Sequence, residues 1–89
     1  MTRRSMEELR KRIDETDKVL LQTLAERFAL VKELGKIKKE LDLPAENTAR
    51  ENEVLQQRGE HFQSLGYEDS EFIEQLFTLL FKKSKMLQQ

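Results

Sequence analysis

The sequence predicts an all-α chain of three helices, the first far longer than the other two. Three observations carry this. From Met6 to Leu41 apolar residues recur at helical spacing, as Leu9, Ile13, Leu20, Leu24, Phe28, Val31 and Leu34. Glycine and proline are scarce, 3 and 1 among 89 residues, which disfavours a turn-rich β protein. Two punctuation points, Asp42-Leu-Pro44 and Leu65-Gly66, divide the chain into helix-sized pieces.

The first helix is expected from about Met6, where Ser5-Met-Glu-Glu8 has capping-box spacing, to about Leu41. Asp42-Leu-Pro44 stops it, because proline disfavours helix at the residue before it. After a loop, Pro44 to Asn47, Thr48-Ala-Arg-Glu51 reads as a second capping box. Helix two carries Val54, Leu55 and Phe62 and ends near Leu65-Gly66, where glycine suits a C-cap. Asp69 or Ser70 caps helix three, which is expected to bury Phe72, Ile73, Leu76, Phe77, Leu80 and Leu87. A first helix this long is about three times the usual length. Two shorter helices cannot cover its stripe, so a second copy of the chain, in a two-fold dimer, is expected.

Composition narrows the function. Eighty-nine residues make one domain, 1–89. Charged and hydrophobic residues are each 37%, so the chain is thinly cored, and a net charge of −1 argues against general nucleic-acid binding. With no cysteine and one histidine, His61, disulfides, thiolate chemistry and the common zinc sites drop out. No run approaches the ~18 apolar residues of a membrane span. The N-terminus has no signal-peptide pattern, so the cytoplasm is the expected location.

The informative residues are polar ones where a helix should be apolar. Arg27 lies three after Leu24 and four before Val31, and Lys38 four after Leu34. The two are roughly three turns apart, so they point the same way about 16 Å from each other. Ser84 and Gln88 share one face of helix three, one turn apart, beyond Phe77, Leu80 and Phe81. Arg50 and Glu51, four before Val54 and Leu55, open the inner side of helix two. Cations aimed at a helical interior need partners, so this pattern fits a pocket for an anion.

Each residue also has a plain reading. A lone helix-edge cation snorkels into solvent, as expected for Lys32, Lys36, Lys39, Lys82 and Lys83. Glu51 can close the capping box with Thr48, Ser84 can back-bond within its helix, and Gln88, one residue from the end, can be a frayed tail. Arg10 is about a quarter-turn off the Arg27 face at 100° per residue. It cannot easily serve the same pocket from the same chain, whereas a partner chain could deliver it.

Taken in order, Leu9-Arg-Lys-Arg-Ile-Asp14 with Asp17, Leu24-Ala-Glu-Arg27, Gly35-Lys-Ile-Lys38, Arg50-Glu51, and Leu76-Phe77 followed by Ser84 and Gln88 resemble the all-helical AroQ class of chorismate mutases, over about Met6 to Gln88. The resemblance implies an intertwined all-α homodimer converting the dianion chorismate to prephenate, with neither cofactor nor metal. It implies that Arg27 and Arg50 bind the substrate carboxylates and that Arg10 reaches in from the other protomer. It further implies that Lys38 and Gln88 donate to the ether oxygen, Glu51 takes the ring hydroxyl, and Ser84 lines the pocket. Asn47 departs from the Asp often found in close relatives, but its backbone can still contact the ring hydroxyl. Alternatives on the same fold are an isochorismate pyruvate-lyase or an aminodeoxychorismate mutase; outside catalysis, a helical dimerisation or regulatory domain.

Overall fold

The computed structural model describes residues 3–89, with side chains from Ser5 onward. Its elements, in order, are α1 (Arg3–Glu40), α2 (Thr48–Ser64) and α3 (Ser70–Leu87). The described residues are helices and connecting turns, as the apolar periodicity requires. The chain divides into two compact units, Met1–Leu30 and Val31–Gln89.

The first unit is the N-terminal part of α1. That helix is already under way at Arg3, so Ser5 lies inside its first turns rather than at its cap. Within the single chain its apolar residues are mostly exposed, Leu9, Ile13 and Leu20 among them; Leu24 and Phe28 are half-buried. Thr16 and Thr23 return their hydroxyls to the carbonyls of Arg12 and Val19, both at 2.8 Å. Such back-bonding satisfies a hydroxyl without leaving the helix.

The second unit begins with the last turns of α1. These close in a Schellman motif: Leu43 N–H donates to Lys38 O at 2.7 Å and Asp42 N–H to Lys39 O at 3.2 Å. Asp42 takes the left-handed position, φ 56°. The stop is thus made by Asp42, two residues before Pro44. The cap of α2 is also shifted from expectation. Asn47, not Thr48, is the N-cap, its Oδ1 accepting from Arg50 N–H at 3.0 Å. With the cap at Asn47, Glu51 stands at the fourth helical position, one residue too far along to close a capping box.

Helices α2 and α3 pack as an antiparallel hairpin. Gly66 (φ 100°) ends α2 in a second Schellman motif, with Gly66 N–H to Gln63 O at 2.9 Å and Tyr67 N–H to Phe62 O at 3.3 Å. Asp69 opens α3, accepting from Phe72 N–H at 3.1 Å. Near the turn, Phe62 stacks on Tyr67 with centroids 5.2 Å apart and meets Phe72 at 6.2 Å. Val54, Ile73 and Leu80 form the buried apolar core. Of the expected core of α3, Phe77 and Leu87 are half-buried, while Phe72 and Leu76 are exposed. Phe72 spends its ring on the Phe62 contact at the hairpin's end.

Candidate active site

The polar residues gather at the end of the second unit far from the aromatic turn. Lys38, on the last turn of α1, is half-buried. Its Nζ donates to Ala45 O at 2.9 Å and to Gln88 Oε1 at 3.2 Å. One ammonium thus ties together the end of α1, the loop before α2 and the end of α3. An ammonium has three donors, so these contacts leave one for a ligand. Gln88 accepts through its oxygen, which leaves the amide NH₂ as a donor on the same side chain.

Gln88 is not a frayed tail. It is 8% exposed, and its N–H donates to Ser84 O at 3.1 Å. The reason lies across from it. A Cβ on Gly35 would stand 2.9 Å from Gln88 Cγ and 3.0 Å from Gln88 Cα. Glycine at position 35 lets the end of α3 seat directly on α1. Ser84, one turn earlier, is 9% exposed and donates its hydroxyl to Leu80 O at 2.7 Å. This is the back-bonded geometry open to a serine inside a helix.

Arg50 and Glu51 open α2 beside this cluster. Arg50 Nη1 meets Glu53 Oε1 at 2.6 Å, with both side chains about half exposed (54% and 55%). A pair so exposed contributes little, and the guanidinium fork remains able to exchange Glu53 for another carboxylate. Glu51 is half-buried and its Oε2 pairs with Lys85 Nζ at 3.2 Å. The same ammonium reaches Glu46 Oε1 at 3.1 Å. The hydrogen bonds that Lys85 donates, to Glu46 first and to Glu51 second, raise its pKa above the ordinary value. Asn47 accepts from Arg50 N–H through Oδ1 and from Glu51 N–H through its backbone carbonyl, both at 3.0 Å, so its roles at the α2 cap engage both oxygens.

The second unit thus brings half-buried Lys38 together with buried Gln88 and Ser84, with Asn47, Arg50 and Glu51 on the helix start alongside. Arg10 and Arg27 belong to the first unit; Arg10 is exposed and Arg27 half-buried. Lys32, Lys36, Lys39, Lys82 and Lys83 are exposed, as snorkelling cations should be. The packing role of Gly35 and the pairing of Lys85 were not drawn from the sequence. Gly35 carried a signal, since a glycine inside a long helix without a turn marks a close approach. Lys85 carried none, because its partners lie 34 and 39 positions away.

The open grooves of this unit are poorer candidates. One of about 210 Å³ against Gly35 and Gln88 is lined also by Lys32, Lys36 and Lys39, and is smaller than the ~300 Å³ at which ligand pockets begin. Another, of about 360 Å³, lies by the hairpin turn and presents Glu60, Glu68 and Asp69, which would repel an anion. Among the described residues, no group of three or more His, Cys, Asp or Glu is placed to hold a metal ion.

With this geometry established, the chain can be compared with known proteins. The family model for chorismate mutase type II matches residues 9–89, and the chain belongs to that family. It is similar to a T-protein of Enterobacter agglomerans, 41% identical over 58 residues, which are 65% of this chain and 16% of that protein. It is also similar to a chorismate mutase of Methanocaldococcus jannaschii, 40% identical over 47 residues, 53% of this chain and 48% of that protein. The matched stretches span less than half of either relative's own length. No solved structure gives a significant match.

Proposed function

We propose that this chain is a chorismate mutase domain that rearranges chorismate to prephenate in aromatic amino-acid biosynthesis. The observation that carries the reading is the donor pair of half-buried Lys38 and buried Gln88, which meet at 3.2 Å in a chain of the chorismate mutase type II family.

The reaction is intramolecular. The ether C–O bond breaks as a new C–C bond forms, and no proton or group leaves the molecule. It therefore needs no nucleophile and no general base. The enzyme can help in two ways. It can hold a flexible dianion in its reactive conformation, which lowers the entropic part of the barrier. It can also place donors where negative charge grows, on the ether oxygen. Lys38 and the Gln88 amide are the donors for that oxygen. Arg27 and Arg50 take the substrate carboxylates by bidentate contacts. Glu51 accepts from the ring hydroxyl, with the Asn47 backbone beside it, and Ser84 lines the pocket. Arg10 comes from the partner subunit of an intertwined homodimer. The exposed apolar residues of α1, such as Leu20 at 56%, support that assembly, because they are what a second copy would cover. Among the described residues no helix is long and apolar enough to cross a membrane; we assign the enzyme to the cytoplasm.

Loss of chorismate followed by ultraviolet absorbance, with the product identified, tests the activity. Prephenate is expected. Pyruvate would assign a lyase instead, and an inert chain would point to a binding or regulatory role. Mixing Arg10→Ala and Arg27→Ala chains tests the shared site: a heterodimer holds one site with both arginines, so activity should return above that of either parent. Confirmed subunit exchange without recovery would contradict the intertwined arrangement.

A further inference from the structure

We infer that Lys85 is a positioning residue that fixes and neutralises the Glu51 carboxylate so that it can receive the ring hydroxyl of a dianionic substrate; the inference rests on the chorismate reading above. Three observations lead to it. Lys85 Nζ sits between two carboxylates, 3.1 Å from Glu46 Oε1 and 3.2 Å from Glu51 Oε2. Lys85 follows Ser84 directly and precedes Gln88 by three residues, so the same last turns of α3 carry all three. Glu51 is the less exposed of the two acids, 23% against 61% for Glu46.

As a source of stability the bridge is minor, since a pair with this much solvent access contributes little. Its consequence is for the acceptor. A glutamate at the mouth of an anion site has two defects: its carboxylate rotates freely, and its charge repels the ligand. Lys85 corrects both. By engaging Oε2 it fixes the carboxylate plane and leaves Oε1 as the acceptor. Its positive charge offsets that of Glu51 where two substrate carboxylates must also be accommodated. Glu46, the more exposed arm, anchors the ammonium from the loop side, so Lys85 is itself held in place.

The test is a steady-state comparison with chorismate as substrate. Lys85→Met should raise KM by about 3- to 10-fold, the range set by re-ordering one side chain on binding, with kcat within about 2-fold. Lys85→Arg should restore the parent KM, and Lys85→Gln should resemble Lys85→Met. Because Lys85 acts through Glu51, Lys85→Met added to Glu51→Ala should leave KM where Glu51→Ala put it. An unchanged KM in Lys85→Met or Lys85→Gln would overturn the inference while the mutase reading stood. So would loss of thermal stability with KM unaltered, or a further rise in KM in the double variant, which would mean direct contact with substrate. A parent chain that does not consume chorismate would overturn both.

Discussion

The two units differ in what they bury: both leave large apolar residues exposed, but among the described residues the buried polar side chains all lie in the second. In the first, Met1–Leu30, large apolar residues stand open, Ile13 at 57%, Leu20 at 56% and Leu21 at 64%. In the second, Val31–Gln89, polar groups are hidden as thoroughly as the apolar core: Gln88 at 8% and Ser84 at 9% beside Ile73 at 6% and Leu80 at 9%. Exposed leucine and buried amide both run against the usual partition of side chains. Each therefore points to something beyond the fold of one chain. The open stripe calls for apolar cover, and the donors left on Lys38 and Gln88 are the groups that the proposed ligand would meet.

The comparison breaks most visibly at the stripe. If a second copy covers it, Leu20→Lys places a charge in an apolar seam, a cost of several kcal/mol, and the protein should lose its dimer and its cooperative melt. If Leu20 stays in water, the change should fall within about 0.5 kcal/mol. Sedimentation and thermal denaturation separate the two.

At the Lys38–Gln88 pair, Lys38→Ala should lower kcat by about 10²–10³, or roughly 3–4 kcal/mol of transition-state stabilisation, the usual loss for one preorganised donor. The effect should fall on kcat more than KM, because charge on the ether oxygen grows only towards the transition state. It should also lower the melting temperature, since Lys38 ties Ala45 and Gln88 to α1. A change in melting temperature alone would make Lys38 a structural tie.

Two glycines sharpen the point with smaller effects. Gly59 lies within α2 with nothing within 4 Å of an added Cβ, so Gly59→Ala should stabilise by about 0.5–1 kcal/mol through the backbone alone. Gly35→Ala carries the same backbone gain, but the new methyl would meet Gln88 at 2.9–3.1 Å, backbone included. Overpacking of that kind costs about 1–3 kcal/mol, so stability should fall and kcat should fall with it as Gln88 moves. Equal stabilisation by both alanines would mean that the end of α3 is not seated against Gly35.

Much of this was legible in the residues. The three helices followed from apolar period, Gly66 and Asp69, and the cluster from Lys38, Ser84 and Gln88 standing at apolar positions. The errors have local causes. Asn47 and Thr48 both satisfy a cap in sequence, and only backbone conformation decided for Asn47. The stop at Asp42 needed a left-handed residue, which aspartate adopts more readily than most but does not announce. The exposed Phe72 followed from its place at the hairpin's end, where period alone reads every apolar residue as core. Lys85 lay beyond reach because its pairing joins residues that only the hairpin brings together.

The most direct test of the claim that the buried amide donates to developing charge is the pH dependence of kcat in Gln88→Glu. A carboxylate only accepts and would repel the charged ether oxygen, whereas a protonated carboxyl donates in place of the amide. The variant should gain activity as pH falls through the titration of its new carboxyl, while the parent stays comparatively flat. Lys38, 3.2 Å from the Gln88 oxygen, favours the ionised carboxyl and burial opposes it, so the position of the midpoint reports which prevails. A variant as active as the parent with the same flat profile would take Gln88 out of the site and contradict the account.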